Sequence, residues 1–111
     1  MDPFFLLREQ LTELRSLVLL ANPDRTVLQD RFLQLQQQFL AQVLPLAEGN
    51  GEAVQSVLTE ISRTLRLVAV DMAFLQTSRQ PGTTQQRQRQ IDERLEQLAN
   101  WLEYLIQKSG L

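Results

Sequence analysis

One apolar repeat constrains the fold of this chain more than any other feature of its sequence. It consists of apolar side chains at alternating spacings of four and three residues: Val54, Leu58, Ile61, Leu65, Val68, Met72 and Leu75. Such spacing keeps side chains on one face of an α-helix. At about 1.5 Å per residue, a helix carrying this repeat would be roughly 40 Å long. The repeat therefore predicts a long helix with one buried face.

Three further segments repeat apolar side chains with the same helical period. They are Phe4, Leu7, Leu11, Leu14, Val18 and Ala21 in a first helix, Leu28, Phe32, Leu35, Phe39 and Val43 in a second, and Ile91, Leu95, Leu98, Leu102 and Leu105 in a fourth. Four amphipathic helices joined by short loops pack most simply as antiparallel neighbours. We therefore predict an all-α fold, an antiparallel up-down-up-down four-helix bundle that forms a single domain over residues 1–111.

Capping and helix-breaking residues predict where these helices begin and end. The candidate boundaries are Asp2-Pro3 before the first helix, Asn22-Pro23-Asp24 before the second, Pro45 and a loop over residues 46–52 after the second, Pro81-Gly82 after the third, and Ser109-Gly110 after the fourth. Pro45 should stop the second helix near residue 44, because proline lacks a backbone donor. Thr83-x-x-Gln86 has the form of a capping box that starts the fourth helix.

Composition argues against several classes of function. The chain has no histidine and no cysteine, so it lacks the commonest general base, the thiolate nucleophile and the commonest zinc ligands. Its acidic residues fall mostly outside the apolar stripes, which disfavours a carboxylate-bridged metal centre between the helices. Its four glycines are spread over loops and an end rather than gathered in a phosphate-binding loop. We predict a non-enzymatic protein without cofactor or metal.

Charge and hydropathy bear on partners and location. The formal net charge of −2 gives no broad positive field to attract nucleic acid or anionic lipid. No apolar run approaches the roughly 18 residues of a membrane span, and the N-terminal segment is unlike a basic-then-apolar secretory signal. These features favour a cytoplasmic protein whose partners are recognised locally.

Asp71 is the one acid in an apolar setting, between Leu67 and Leu75. An unpaired buried carboxylate is strongly destabilising, so Asp71 should pair with a cation such as Arg66 or Arg94, or reach the rim of the core. Two roles are open: Asp71 could fix the register of the helices, or it could be a polar anchor in a partner interface.

Leu67, Val70 and Phe74 lie beside the main stripe of the third helix. A helix with this much apolar surface is either central, with neighbours on most sides, or it forms the seam of a homodimer.

Arg79, Arg87 and Arg89 lie close to the predicted turn between the third and fourth helices. They could be a solvated helix end, or they could bind carboxylates of a partner protein, because arginine forms forked contacts that lysine does not. Nucleic-acid binding is a weaker alternative, because it generally requires more positive charge and aromatic residues interleaved with the basic ones.

The segment from residue 71 to 81, DMAFLQTSRQP, is followed by TQQR at 84–87 and IDERL at 91–95. It resembles the cyanobacterial heterocyst frequency control protein PatD family, and its Phe-Leu-Gln-x-x-Arg-Gln core carries most of the likeness. The resemblance implies a small non-enzymatic regulator that limits how many cells become heterocysts and binds the tubulin-like division protein FtsZ, influencing its assembly. The matching positions are candidates for partner binding: Asp71, Phe74, Arg79, Gln80, Arg87 and Arg94.

Two other functions remain as alternatives to this regulator. One is a structural homodimeric module that pairs through Leu67, Val70 and Phe74. The other, which the charge disfavours, is a regulator that binds nucleic acid.

Overall fold

A computed structural model describes residues 2–109 of the protein, and these residues form helices joined by short turns, without a strand among them. The α-helices are α1 at Pro3–Val18, α2 at Arg25–Gln38, α3 at Leu44–Ala47, α4 at Glu52–Thr77 and α5 at Pro81–Ser109. A π-helical turn, Phe39–Val43, joins α2 to the short α3 without a break. Four long helical segments result, and the all-α prediction is confirmed for the described residues.

The first two helices begin where acidic side chains cap them. The Oδ1 atom of Asp2 accepts a hydrogen bond from the backbone N–H of Phe4 at 2.8 Å, and Oδ1 of Asp24 accepts one from Val27 at 3.1 Å. Both carboxylates satisfy donors that a helix leaves free at its first turn. Helix α1 ends at Val18, so Ala21, predicted as its last buried residue, instead lies exposed in the turn.

Pro45 does not stop the second helix. The backbone N–H of Leu44 bonds to the carbonyl of Phe39, five residues earlier, which makes this turn wider than an α-helical one. The wider turn relieves the close approach between a proline ring and the carbonyl four residues before it. The chain therefore stays helical to Ala47, and the turn into α4 uses positive φ angles at Gly49 (84°) and Gly51 (99°), which glycine adopts readily.

Helix α5 begins at Pro81, two residues before the predicted capping box. The carbonyl of Gln80 accepts the backbone N–H of Thr84 at 2.9 Å, so Thr83 lies inside the first turn and does not cap it. Proline suits this first position because its missing N–H would have no helical partner there. The predicted end at Ser109 agrees with the end of α5, whereas Gly110 lies outside the described residues.

The core consists of the predicted stripes. Every stripe residue named above is buried except Ala21, and Ala47 of α3 joins them. Helices α1 and α4 each pack against both α2 and α5. Leu67, Val70 and Phe74 are 37%, 52% and 51% exposed, so one face of α4 is open. Of the two alternatives for this helix, the one in which neighbours cover most of its sides is wrong, and the homodimer seam stays a prediction.

Candidate protein-binding face

Asp71 of α4 pairs with two arginines of α5. Its exposed fraction is 4%, and Nε of Arg94 lies 2.9 Å from its Oδ2 atom. Nη1 of Arg87 lies 3.7 Å from Oδ1. The predicted pairing with Arg94 is thus confirmed, while the second cation is Arg87 and not Arg66.

The contact between Asp71 and Arg94 is an ion pair that lacks the alignment of a hydrogen bond. Although the two atoms are 2.9 Å apart, neither Oδ2 of Asp71 nor Nε of Arg94 has a hydrogen-bond partner among the described residues. Burial raises the pKa of the Asp71 carboxyl, and the positive charges of Arg94 and Arg87 offset only part of that rise. The interior here therefore favours the protonated acid more than water does.

Arg87 also contacts an exposed aromatic side chain, Phe74. Its guanidinium carbon lies 4.5 Å from the centre of the Phe74 ring, a distance at which a cation is attracted to an aromatic face. Arg87 therefore connects the buried Asp71 with an exposed aromatic side chain. Val70 and Leu67, which precede Phe74 on α4, are also exposed. We call these three residues the α4 strip.

Arg79 and Gln80 lie exposed at the turn between α4 and α5. Within residues 2–109 neither side chain forms an ion pair or a hydrogen bond, so both are free to meet a partner. The six sequence-predicted residues thus occupy three settings. Asp71 and Arg94 form an interior pair, Phe74 and Arg87 stack at the surface, and Arg79 and Gln80 project from the turn.

The charge near this turn differs from that of the whole chain. Residues 61–91 contain a single acid, the buried Asp71, together with five arginines: Arg63, Arg66, Arg79, Arg87 and Arg89. Arg63 pairs with Glu60 at 3.0 Å, whereas Arg66, Arg79 and Arg89 have no ion pair in the described part of the chain. Arg66, Arg79 and Arg87 therefore form a positive border around the α4 strip in a protein with a net charge of −2. Arg89 is not part of this border, because it lines a groove with Leu19 that no residue of the α4 strip lines.

Gln88 of α5 is a buried structural residue that was not among the residues predicted from the sequence. It is 6% exposed, and its Nε2 atom donates hydrogen bonds to the carbonyls of Val18 at 2.7 Å and Leu20 at 2.8 Å. These bonds satisfy acceptors at the end of α1. The sequence did contain a signal, because Gln88 precedes Ile91 by three residues and so continues the apolar stripe of α5.

A second contact between helices is reciprocal. Nη1 of Arg25 donates to the carbonyl of Gln76 at 3.1 Å, and Nε2 of Gln76 donates to the carbonyl of Arg25 at 2.8 Å. The start of α2 is thereby fixed to the end of α4, next to the turn that carries Arg79.

Residues 2–109 contain neither a membrane-spanning helix nor a cluster of metal-binding side chains. No described helix combines the length and the apolar character needed to cross a membrane. In the same range, no three acidic side chains come together in a way that could hold a metal ion. Comparisons with protein-family models, with curated proteins and with solved structures found no match to this chain.

Proposed function

We propose that this chain is a small, non-enzymatic, cytoplasmic regulatory protein that acts by binding another protein. The binding face consists of the α4 strip and the adjoining turn. One observation carries the proposal: three large apolar side chains are exposed in a row, and free arginines border them. Exposed apolar surface rimmed by polar residues marks interaction sites in soluble proteins.

We further propose that the long helices form an antiparallel up-down-up-down bundle and that the whole chain is one domain. Ion pairs between α1 and α5 support this arrangement. Arg8 pairs with Glu103, and Arg15, seven residues later, pairs with Asp92. Residue numbers that rise along α1 while falling along α5 are those of helices running in opposite directions.

The proposed recognition is local. Arg79 and Arg87 meet acidic groups of the partner, while Val70 and Phe74 enter an apolar part of its surface. Arg87 is already held between Asp71 and the Phe74 ring, so less side-chain freedom is lost when a partner binds. The likeness of residues 71–95 to the PatD family supports FtsZ as the partner, with an effect on its assembly and on heterocyst frequency.

The open face of α4 also supports a homodimer paired through Leu67, Val70 and Phe74. The arginines that border this face weigh against the homodimer, because a two-fold axis brings copies of one charged face together.

A regulator that binds nucleic acid is the third candidate. This candidate predicts that the protein shifts the electrophoretic mobility of DNA or RNA and that its affinity declines steeply with salt. The absence of a mobility shift at low salt would rule this candidate out.

The test measures binding of the purified chain to FtsZ. Two variants alter the face: Val70→Asp on the α4 strip and Arg79→Glu at the turn. Two controls make matched changes elsewhere. Leu20→Asp alters a side chain of similar exposure, 50% against 52% for Val70, and Arg89→Glu reverses a charge in the groove beside Leu19.

We expect both face variants to lose most of their affinity while far-UV circular dichroism stays unchanged and the two controls bind normally. Full affinity in Val70→Asp and Arg79→Glu would rule this face out. If the unaltered chain does not bind FtsZ, then FtsZ is not the partner.

A further inference from the structure

The outer side of α2 has a different chemistry from the α4 strip. Residues 32–47 contain no charged side chain, yet Leu33 and Leu40 are 49% and 52% exposed. Seven residues separate them, about two helical turns, so they lie on the same side. Between them, a shallow groove is lined by Gln36, Gln37 and Ala41 as well. We call these five residues the α2 face.

Neutral apolar surface of this kind suits contact with itself. In a two-fold dimer, the same patch of both copies meets, so a charge close to the two-fold axis lies near its own copy and is repelled by it. The α2 face avoids this repulsion, whereas the α4 strip, with its arginines, does not. Glutamine adds self-complementarity, because each amide offers both donors and an acceptor. Within the described residues, the side chains of Gln36 and Gln37 make no hydrogen bond.

We propose that the α2 face pairs with the α2 face of a second copy of this chain. Helices α2 and α5 both pack against α1 and α4, which places them at opposite corners of the proposed bundle. Pairing through α2 therefore leaves the arginines of α5 accessible. If the proposed function holds, the dimer carries two partner-binding faces and can link two subunits of a polymer, which raises its apparent affinity without new contacts.

Sedimentation equilibrium over a range from low to high micromolar concentration tests the dimer directly. The unaltered chain should shift from monomer to dimer as concentration rises. The variant Leu33→Glu with Leu40→Glu places like charges across the two-fold axis and should remain monomeric over the same range. Val70→Glu, on a side chain of equal exposure to Leu40, is the matched control and should dimerise normally.

Crosslinking provides a second measurement, because the chain has no cysteine of its own. Gln37→Cys introduces one thiol at the centre of the α2 face and should form a covalent dimer under mild oxidation. Arg79→Cys, at the exposed turn, should give far less. Far-UV circular dichroism of each variant verifies that the helices are retained.

A monomer at every concentration would overturn the proposal. So would a dimer that Val70→Glu dissolves and the Leu33→Glu, Leu40→Glu variant does not, since the α4 strip would then be the interface. Neither measurement includes FtsZ. A failure of the dimer is therefore distinguishable from a failure of the proposed function.

Discussion

Nε of Arg94 lies 2.9 Å from Oδ2 of Asp71, across the contact between α5 and α4. The carboxylate is almost completely buried, while the arginine side chain is 25% exposed. Charges at this distance attract strongly where water is excluded, but each loses hydration on burial. Removing one partner is therefore more damaging than removing both.

Replacing Arg94 alone should destabilise the protein. Arg94→Leu leaves the Asp71 carboxylate buried with only the longer contact to Arg87. We expect a loss of about 2 to 4 kcal/mol in the free energy of unfolding, below the full effect of breaking a buried pair because Arg94 is partly exposed. Urea denaturation measures it. Asp71→Leu combined with Arg94→Leu should recover much of the loss, and a double variant no more stable than Arg94→Leu would contradict this account.

The pKa of Asp71 predicts a pH dependence. Burial raises this pKa above the ordinary value of 3.8, so the folded state binds the proton more tightly than the unfolded state. The ionised carboxylate consequently lowers stability at neutral pH, and the loss disappears as pH falls through the folded-state pKa. The variant Asp71→Asn lacks the titrating carboxyl group and therefore serves as the reference for this effect.

The free energy of unfolding of the unaltered chain, minus that of Asp71→Asn, should therefore increase as pH falls from neutral toward 3.8. Urea denaturation at a series of pH values gives this difference. A difference that stays constant or decreases would show that burial does not dominate at Asp71.

Gln88 should contribute to stability through its two bonds to the end of α1. Gln88→Ala leaves the carbonyls of Val18 and Leu20 without this donor, and we expect a loss of about 1 to 3 kcal/mol. Hydrogen exchange should become faster at the last amides of α1. Gln86→Ala, an exposed neighbour on α5, is the control and should change stability by less than about 0.5 kcal/mol. Equal effects of the two substitutions would refute the role given to Gln88.

Phe39 and Leu40 are neighbours in the π-helical turn with opposite environments, 0% and 52% exposed. Phe39→Ala should lower the free energy of unfolding by about 3 to 5 kcal/mol, since it leaves a cavity. Leu40→Ala should change it by less than about 0.5 kcal/mol. Thermal or urea denaturation at low protein concentration compares the two. Similar losses would mean that the π-helical turn is placed wrongly.

The core was predictable because helical periodicity is a local property of the sequence. Val54 and Leu75, at the two ends of the long repeat, are both buried as predicted. Helix ends were less predictable because distant residues decide them. Helix α1 ends at Val18, where Gln88 supplies donors to the free carbonyls, and Pro45 is accommodated by a widened turn that no local rule signals.

The candidate site was predictable only in part. An acid within an apolar run requires a cation, which identified Arg94 as a partner of Asp71. Arg66 was a weaker candidate, because it lies on the same helix five residues before Asp71, about 140° away around the helix axis. Arg87 was not predicted, because its reach to Asp71 depends on how α5 is rotated against α4, and periodicity does not determine that rotation. The sequence also left the exposure of Phe74 open between a central α4 and a surface that meets a partner, since an apolar side chain can lie outside the core. The partner itself stays a prediction.

The bonds from Gln88 have a consequence for biosynthesis. Val18 and Gln88 are separated by 70 positions in the chain, so the ribosome releases the first helix long before the residue that completes its end. Until then the nascent segment lacks both this donor and the apolar face of α5. The helices should consequently acquire their final packing only after α5 has left the ribosome, and a product truncated before α5 should be a substrate for chaperones or proteases.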